Sequence, residues 1–296
     1  MQLLHSATRN YSWGSRTLIP HLQGQPDADK PVAELWFGAH PGDPSTVDGR
    51  LLNEVIAEDP AGQLGSRVSA EYGERLPFLL KVLAAEEPLS LQAHPSKTQA
   101  EEGFARENAA GIELTASNRN YKDDNHKPEL IVALTDFYAM AGFRPLARTR
   151  ELFAALECPE LDHYVAMLDD DPSATTESAN LRVLFTTWIT IPSAKRKELI
   201  SAIVAAGERL IAADPADWKS RVMSTVLDLN QRYPGDIGVL GALLLNHIEL
   251  SPGEAVYLDA GQLHAYVSGL GVEIMANSDN VLRGGLTPKF VDVPEL

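Results

Sequence analysis

Apolar and polar residues alternate with a period of two along Leu89-Ser90-Leu91-Gln92-Ala93-His94-Pro95. Successive strand side chains point to opposite faces, so this spacing predicts a strand. One face is apolar, and the other carries Ser90, Gln92 and His94 in a row. Neighbours at i and i+2 sit roughly 7 Å apart, so Gln92 and His94 can converge on one small ion. The same alternation also suits an ordinary half-exposed strand of an antiparallel sheet. Val32–Gly38, Phe78–Leu83 and Glu129–Leu134 are further apolar runs of strand length, the second interrupted by Lys81. Pro41-Gly42-Asp43-Pro44, Asp48-Gly49, Pro60 and Gly62 punctuate them. Leu52–Ala57 and Ala61–Tyr72 predict short helices. Residues 97–111 predict a longer one, opened by Ser96 or Thr98 and closed by Gly111.

From about Leu146 the period changes. Glu151–Glu157, Leu181–Thr190, Ala194–Ala213 and Trp218–Arg232 read as helices, separated by Pro159, Pro192, Pro215 and Pro234. Leu199, Ile200, Ile203, Val204, Leu210 and Ile211 keep a 3.6-residue period within the third. Asp169-Asp170-Asp171-Pro172 reads as a solvated loop, since it lacks the spaced ligands of a calcium loop. After about residue 247 strands return: Ala255–Leu258, then His264 beyond a Gly261-Gln262 turn, then Val272–Ala276 after punctuation at Gly269 and Gly271. The fold class predicted is mainly β with an α insertion: a helical domain over 144–246 set into one β barrel made by 1–143 and 247–296.

Charge changes the picture of partners. The chain has 296 residues, 44% hydrophobic and 22% charged, enough for a sizeable core. Its formal net charge of −16 makes nucleic acid and anionic membranes poor partners. A phosphorylated substrate would need local cations at its site. A single cysteine, Cys158, excludes an intrachain disulfide and cysteine-built metal centres and suits a reducing cytoplasm. Met1–Trp13 lacks the apolar run of a signal peptide, and Val239–Leu245 is too short to span a bilayer. A cytoplasmic monomer is expected.

Three places carry candidate chemistry. Gln92 and His94 form the first. Asn125-His126-Lys127-Pro128-Glu129 is the second, with Lys127 and Glu129 on one face by i, i+2 alternation. His264, followed by Glu273, Asp279, Arg283 and Lys289, is the third. Two histidines, a carboxylate and an amide oxygen make a plausible divalent-metal set, and one anionic ligand leaves the ion a Lewis acid. His5, His21, His40, His163 and His247 read as surface or core residues.

Five motifs occur in order: Asn10-Tyr11-Ser12-Trp13-Gly14; Ala33-Glu34-Leu35-Trp36-Phe37-Gly38-Ala39-His40-Pro41; Leu91-Gln92-Ala93-His94-Pro95; His126-Lys127-Pro128-Glu129; and Val272-Glu273-Ile274-Met275-Ala276 through Leu286-Thr287-Pro288-Lys289. Together with the intervening helical block they resemble the type I mannose-6-phosphate isomerase family, from residue 10 to the end. The resemblance implies a cupin (jelly-roll) fold and one Zn²⁺ held by Gln92, His94, Glu129 and His264. It implies a catalytic Arg283, with His126, Lys127, Glu273 and Asp279 in ring opening or proton transfer. It places Ser90, Lys81 and Lys289 near the substrate phosphate. The reaction implied interconverts mannose 6-phosphate and fructose 6-phosphate, moving a proton between C2 and C1 through a cis-enediol. Family members usually continue into a further β domain, whereas this sequence stops soon after Lys289.

Other readings stand beside this one. His94, Glu129 and His264 could serve an iron-dependent cupin oxygenase, although Gln92 would then fill a position that dioxygen needs. The chain could also bind a sugar phosphate without turnover. Glu129 and Lys81 could be strand-edge residues, Asp279-Asn280 an Asx turn, Arg283 a loop arginine, and Trp13 and Trp36 packing residues.

Overall fold

The fold is that of a computed structural model, which describes residues 2–168 and 174–296, with side chains from residue 179 in the second stretch. The acidic run 169–172 lies outside the described residues. The first part of the chain runs β1 (Leu4–His5), β2 (Ala7–Arg9), α1 (Leu18–Leu22), β3 (Glu34–Gly38), β4 (Thr46–Val47), β5 (Arg50–Leu51), α2 (Leu52–Glu58), α3 (Pro60–Leu64), α4 (Ser66–Tyr72), β6 (Phe78–Ala85), β7 (Leu91–Ala93), α5 (Lys97–Ala109), β8 (Glu129–Ala133) and β9 (Phe137–Phe143). Helices follow: α6 (Leu146–Leu156), α7 (Pro159–Val165), α8 (Ala174–Thr190), α9 (Ser193–Ala213), α10 (Trp218–Arg232) and α11 (Ile237–Ala242). The chain then returns to strands β10 (Leu245–Leu250), β11 (Ala255–Leu258), β12 (His264–Ala276) and β13 (Leu282–Gly285).

β12 organises the sheets. Its first half pairs with β9 and β7, and its second half with β6 and β8. One strand therefore belongs to two sheet layers: β10-β9-β12-β7-β13, and β2-β3-β6-β12-β8-β11. The change of partner falls at Gly269, whose φ is +122°. A Cβ there would lie 2.7 Å from the Asp136 carbonyl oxygen, so glycine is what lets the strand bend past β9. The sequence places a break at Gly269–Gly271; the strand instead continues through it. Leu83, Ile131, Phe137, Ala139, Ala141 and Tyr266 pack between the two layers.

The helical block packs against the outside of the first layer. Leu91, Ala93, Met140 and Ala265 share one core with Leu184, Trp188, Ile203, Met223, Val226 and Leu240. β7 is thus turned contrary to the usual arrangement. Leu91 and Ala93 face the helices, and Gln92 between them faces into the barrel. Burying an apolar side chain of this size contributes about 1.5–3 kcal/mol, so the helices hold the polar row of β7 inward.

Helix ends follow local chemistry. Ser96 and Gln99 form a reciprocal capping box at the start of α5, as Ser96 foretold. The single helix read over Ala61–Tyr72 is two, α3 and α4, because Gly65 adopts φ +82° between them. The apolar run Val239–Leu245 divides between α11 and β10.

Candidate active site and metal centre

Cross-strand register builds the site. His264 stands opposite both Ala141 and Gln92, and Gln92 stands opposite Arg283. Gln92, His264 and Arg283 therefore form one row on the interior face. His94 follows β7 and Glu129 opens β8. His94, Glu129 and His264 converge so that their ligand atoms all lie within 4.8 Å of one another. His94 Nε2 is 3.2 Å from Glu129 Oε1, and His264 Nε2 is 3.3 Å from Glu129 Oε2.

The outer ring nitrogens set the inner ones. His94 Nδ1 donates to the Asn280 carbonyl at 2.8 Å, and His264 Nδ1 donates to the Gln262 carbonyl at 2.8 Å. Each Nε2 is then left as a lone pair aimed inward, the state that a metal requires. His94 Nε2, His264 Nε2 and Glu129 Oε2 are buried without a hydrogen-bond partner. Three orphaned ligand atoms at one point are costly unless an ion satisfies them, so these residues fit a bound cation. Burial pushes His94 down to about 4, with Lys127 adding and Glu129 opposing, and keeps it neutral. Burial would raise Glu129, but Lys127, His94 and the histidine contacts outweigh it and hold its carboxyl well below the usual range.

A chain of buried charges adjoins these three. Lys127 Nζ lies 3.0 Å from Glu129 Oε1. Glu273 pairs with Lys81 at 3.2 Å and accepts the Tyr266 hydroxyl at 2.9 Å. Lys81 also lies 3.4 Å from Glu34, whose other oxygen accepts the Trp36 indole N–H at 2.7 Å. Lys81 is therefore no exposed edge residue. Burial would lower it, but Glu34, Glu273 and Glu129 outweigh that and keep it protonated. Its charge is already matched by carboxylates, unlike that of a lysine waiting for a phosphate. Burial pushes Glu273 up, and Glu129 adds to the rise against the pull of Lys81 and Lys127.

The remaining expected residues lie toward the rim. Asp279 is half exposed and meets His40 Nε2 at 3.3 Å. Asp279, His40, Lys122 and Asp123 line a cavity of about 380 Å³. Asn280 is fully buried: its side chain accepts from the Lys122 N–H at 2.7 Å and donates to the Asp123 and Asn125 carbonyls. It is more than an Asx turn, because it fastens two loops together while its carbonyl orients His94. Arg283 and Lys289 are lowered, each first by burial, and Lys289 further by Arg283 and Lys122. These three cations therefore share one electrostatic neighbourhood. Ser90 precedes β7 and is partly buried, while His126 is exposed beside buried Lys127. Of the expected residues, His94, Glu129, His264, Lys127, Lys81 and Glu273 make up the buried cluster, whereas Asp279, Lys289 and His126 are exposed outside it.

Glu34, Tyr266, His40 and Asn280 are missing from the expectations. A charge within the apolar run Val32–Gly38 was the available signal for Glu34. His40 stands in the motif Ala33–Pro41 but reads there as a surface or core residue, and Tyr266 gives no signal.

Known proteins agree with this geometry. Residues 1–146 match the phosphomannose isomerase type I catalytic domain. Over its whole length the chain is 41% identical to mannose-6-phosphate isomerase of Escherichia coli, covering 73% of that protein. It is 37% identical to the human enzyme of that name, over 99% of this chain and 71% of the relative. The crystal structure of mannose 6-phosphate isomerase from Salmonella typhimurium, bound to substrate (f6p) and zinc, superposes on the whole chain with a TM-score of 0.87. Its identity is 40%, and the chain spans 73% of it. A holo, zinc-bound structure of mannose 6-phosphate isomerase gives 0.87 at 39% identity. With that likeness running through every residue, and the catalytic-domain pattern in its first half, the chain belongs to the type I mannose-6-phosphate isomerase family.

Proposed function

We propose that this chain interconverts mannose 6-phosphate and fructose 6-phosphate by moving a proton between C2 and C1 through a cis-enediol. The observation that carries this reading is the convergence of three buried, unpartnered ligand atoms from His94, Glu129 and His264. It stands in a chain about 40% identical to an enzyme solved with zinc and fructose 6-phosphate. The oxygenase and the turnover-free binder have no comparable support.

Zinc held by these three residues, with Gln92 as fourth ligand, supplies a Lewis acid for the substrate's carbonyl and hydroxyl oxygens. The chain's own residues do the rest. Arg283, in the row of Gln92 and His264, faces the oxygens that gain negative charge. Lys289, beside Arg283 and Lys122, takes the phosphate, with Ser90 supplying a hydroxyl. Lys127 and Glu273 are the two candidates for carrying the proton between C2 and C1. Burial and Glu129 raise Glu273, against Lys81 and Lys127, which strengthens its carboxylate as a base. Lys81 holds Glu273 in place rather than meeting the phosphate. Asp279 and His126, nearer the solvent, serve ring opening. We further read 144–246 as a helical domain inserted in a cupin barrel, its role being to press β7 inward.

Metal content and turnover, measured together, test this. The purified chain is expected to hold about one zinc, to lose isomerisation on chelation, and to regain it with Zn²⁺. His264→Ala should lose zinc and turnover together. Iron in place of zinc with dioxygen uptake, or full zinc occupancy in His264→Ala, would overturn the assignment. Among the described residues no helix is long and apolar enough to cross a membrane; a monomer in the cytoplasm remains our reading of the charge and cysteine content.

A further inference from the structure

Between the helical block and the outer face of the first sheet layer lies a cavity of about 720 Å³. It is on the far side of β9 and β12 from the metal ligands. α10 contributes Trp218, Arg221, Val222 and Thr225. The entry to α6 contributes Arg144 and Arg148, and the strands contribute His247, Ile248 and Val267. Three arginines therefore line one cavity in a protein of net charge −16.

Arg144 is the unusual member. It is only 5% exposed, its guanidinium donates to two backbone carbonyls, of Leu243 at 2.9 Å and Leu245 at 2.7 Å, and among the described residues it forms no ion pair. Burial lowers Arg144 to about 10, and the neighbouring cation Arg148 adds to the shift. Both guanidinia face the ring of Trp218, at 5.4 Å and 4.1 Å. Arg148 is paired outward with Glu151 at 2.7 Å, and Arg221 donates to the Ala216 carbonyl. Asp228 and Glu249 also line the cavity, but neither forms an ion pair with these arginines among the described residues. A buried cation without a counter-charge is costly, and a second cation beside it raises that cost.

We propose that this cavity is a binding site for a small organic phosphate, distinct from the active site. A phosphate monoester carries a charge of about −1.5 to −2 at neutral pH, enough to offset two guanidinia. Guanidinium forks match its oxygens. The volume lies within the range of small-molecule sites, about 300–1,000 Å³, and exceeds what a free phosphate fills. Trp218, Val222, Ile248 and Val267 offer an apolar wall to the organic part.

Isothermal titration of the zinc-loaded chain with 3-phosphoglycerate tests this, inorganic phosphate serving as a second probe. The wild type should bind 3-phosphoglycerate more tightly than inorganic phosphate, and more weakly as salt is raised. Arg148→Gln with Arg221→Gln should weaken binding at least tenfold while isomerase turnover, the check on folding, stays as in wild type. Arg283→Ala should bind the probe as wild type does. No binding by the wild type, binding untouched by the double substitution, loss in Arg283→Ala, or a preference for inorganic phosphate would each overturn the proposal.

Discussion

Each of the two metal-facing histidines spends one nitrogen on position and keeps the other for chemistry. The carbonyls that hold them belong to Asn280 and Gln262, which the sequence presents only as turn residues. This explains what could be read at the residue scale. Alternation made it legible that Gln92 shares a face with His94 and Lys127 with Glu129, while the metal-ligand set came from the family resemblance. Glu34, Tyr266 and Asn280 were not legible, because their roles come from which strand or loop lies alongside. Lys81 was legible as a charge in a strand, but its partners Glu34 and Glu273 come from β3 and β12. Arg283 stands in the same cross-strand row as Gln92 and His264, and we propose that it acts beside the metal rather than as a ligand. Arg283→Ala should therefore keep zinc and fold while kcat falls about 10²-fold or more, the scale of losing one preorganised donor. Steady-state kinetics beside metal analysis would show it, and unchanged kcat would refute the role. His247 gives a pH expectation. Burial lowers it to about 4, the Ala242 carbonyl opposing and Arg144 assisting, against about 6.5 when unfolded. Between those values the unfolded chain binds more protons, so stability is full above the upper value and declines as pH falls through the window. Thermal melts from pH 7 to pH 5 should show a smaller decline in His247→Gln than in wild type.

At the scale of elements, legibility followed periodicity and caps. α10 runs over the residues expected, opened by Asp217, whose carboxylate accepts the Lys219 N–H at 2.7 Å. β9 gave no such signal. Ala139 and Ala141 face the barrel while Met140 faces the helices, so both faces are apolar and alternation disappears. The junction of β13 with α11 also carries no periodic signal. There Asp236 accepts the N–H groups of both Gly238 and Leu286 at 2.7 Å. Gly285 has φ +139°, and a Cβ on it would sit 2.4 Å from the Gly238 nitrogen. Gly285→Ala combines backbone strain with a backbone clash, so a loss on the order of 3 kcal/mol is expected. Urea unfolding would measure it, and a midpoint equal to wild type would contradict this account of the junction.

At the scale of the whole molecule, one bent strand joins the chemistry of two sheet layers. β12 carries His264 in one layer and Glu273 in the other, and both point to the space between. The helical block presses on the back of the first layer, so a polar row can face inward at little cost. Within a strongly acidic chain Arg283, Lys289 and Lys122 share one electrostatic neighbourhood, and we propose that the anionic substrate enters there. We propose that these parts together isomerise a sugar phosphate by proton transfer. The most direct measurement is NMR of mannose 6-phosphate turned over by the zinc-loaded chain in D₂O, sampled before repeated turnover. Proton transfer through a side-chain base should give fructose 6-phosphate with some deuterium at C1. No fructose 6-phosphate at all, or conversion that never admits deuterium after many turnovers, would contradict it.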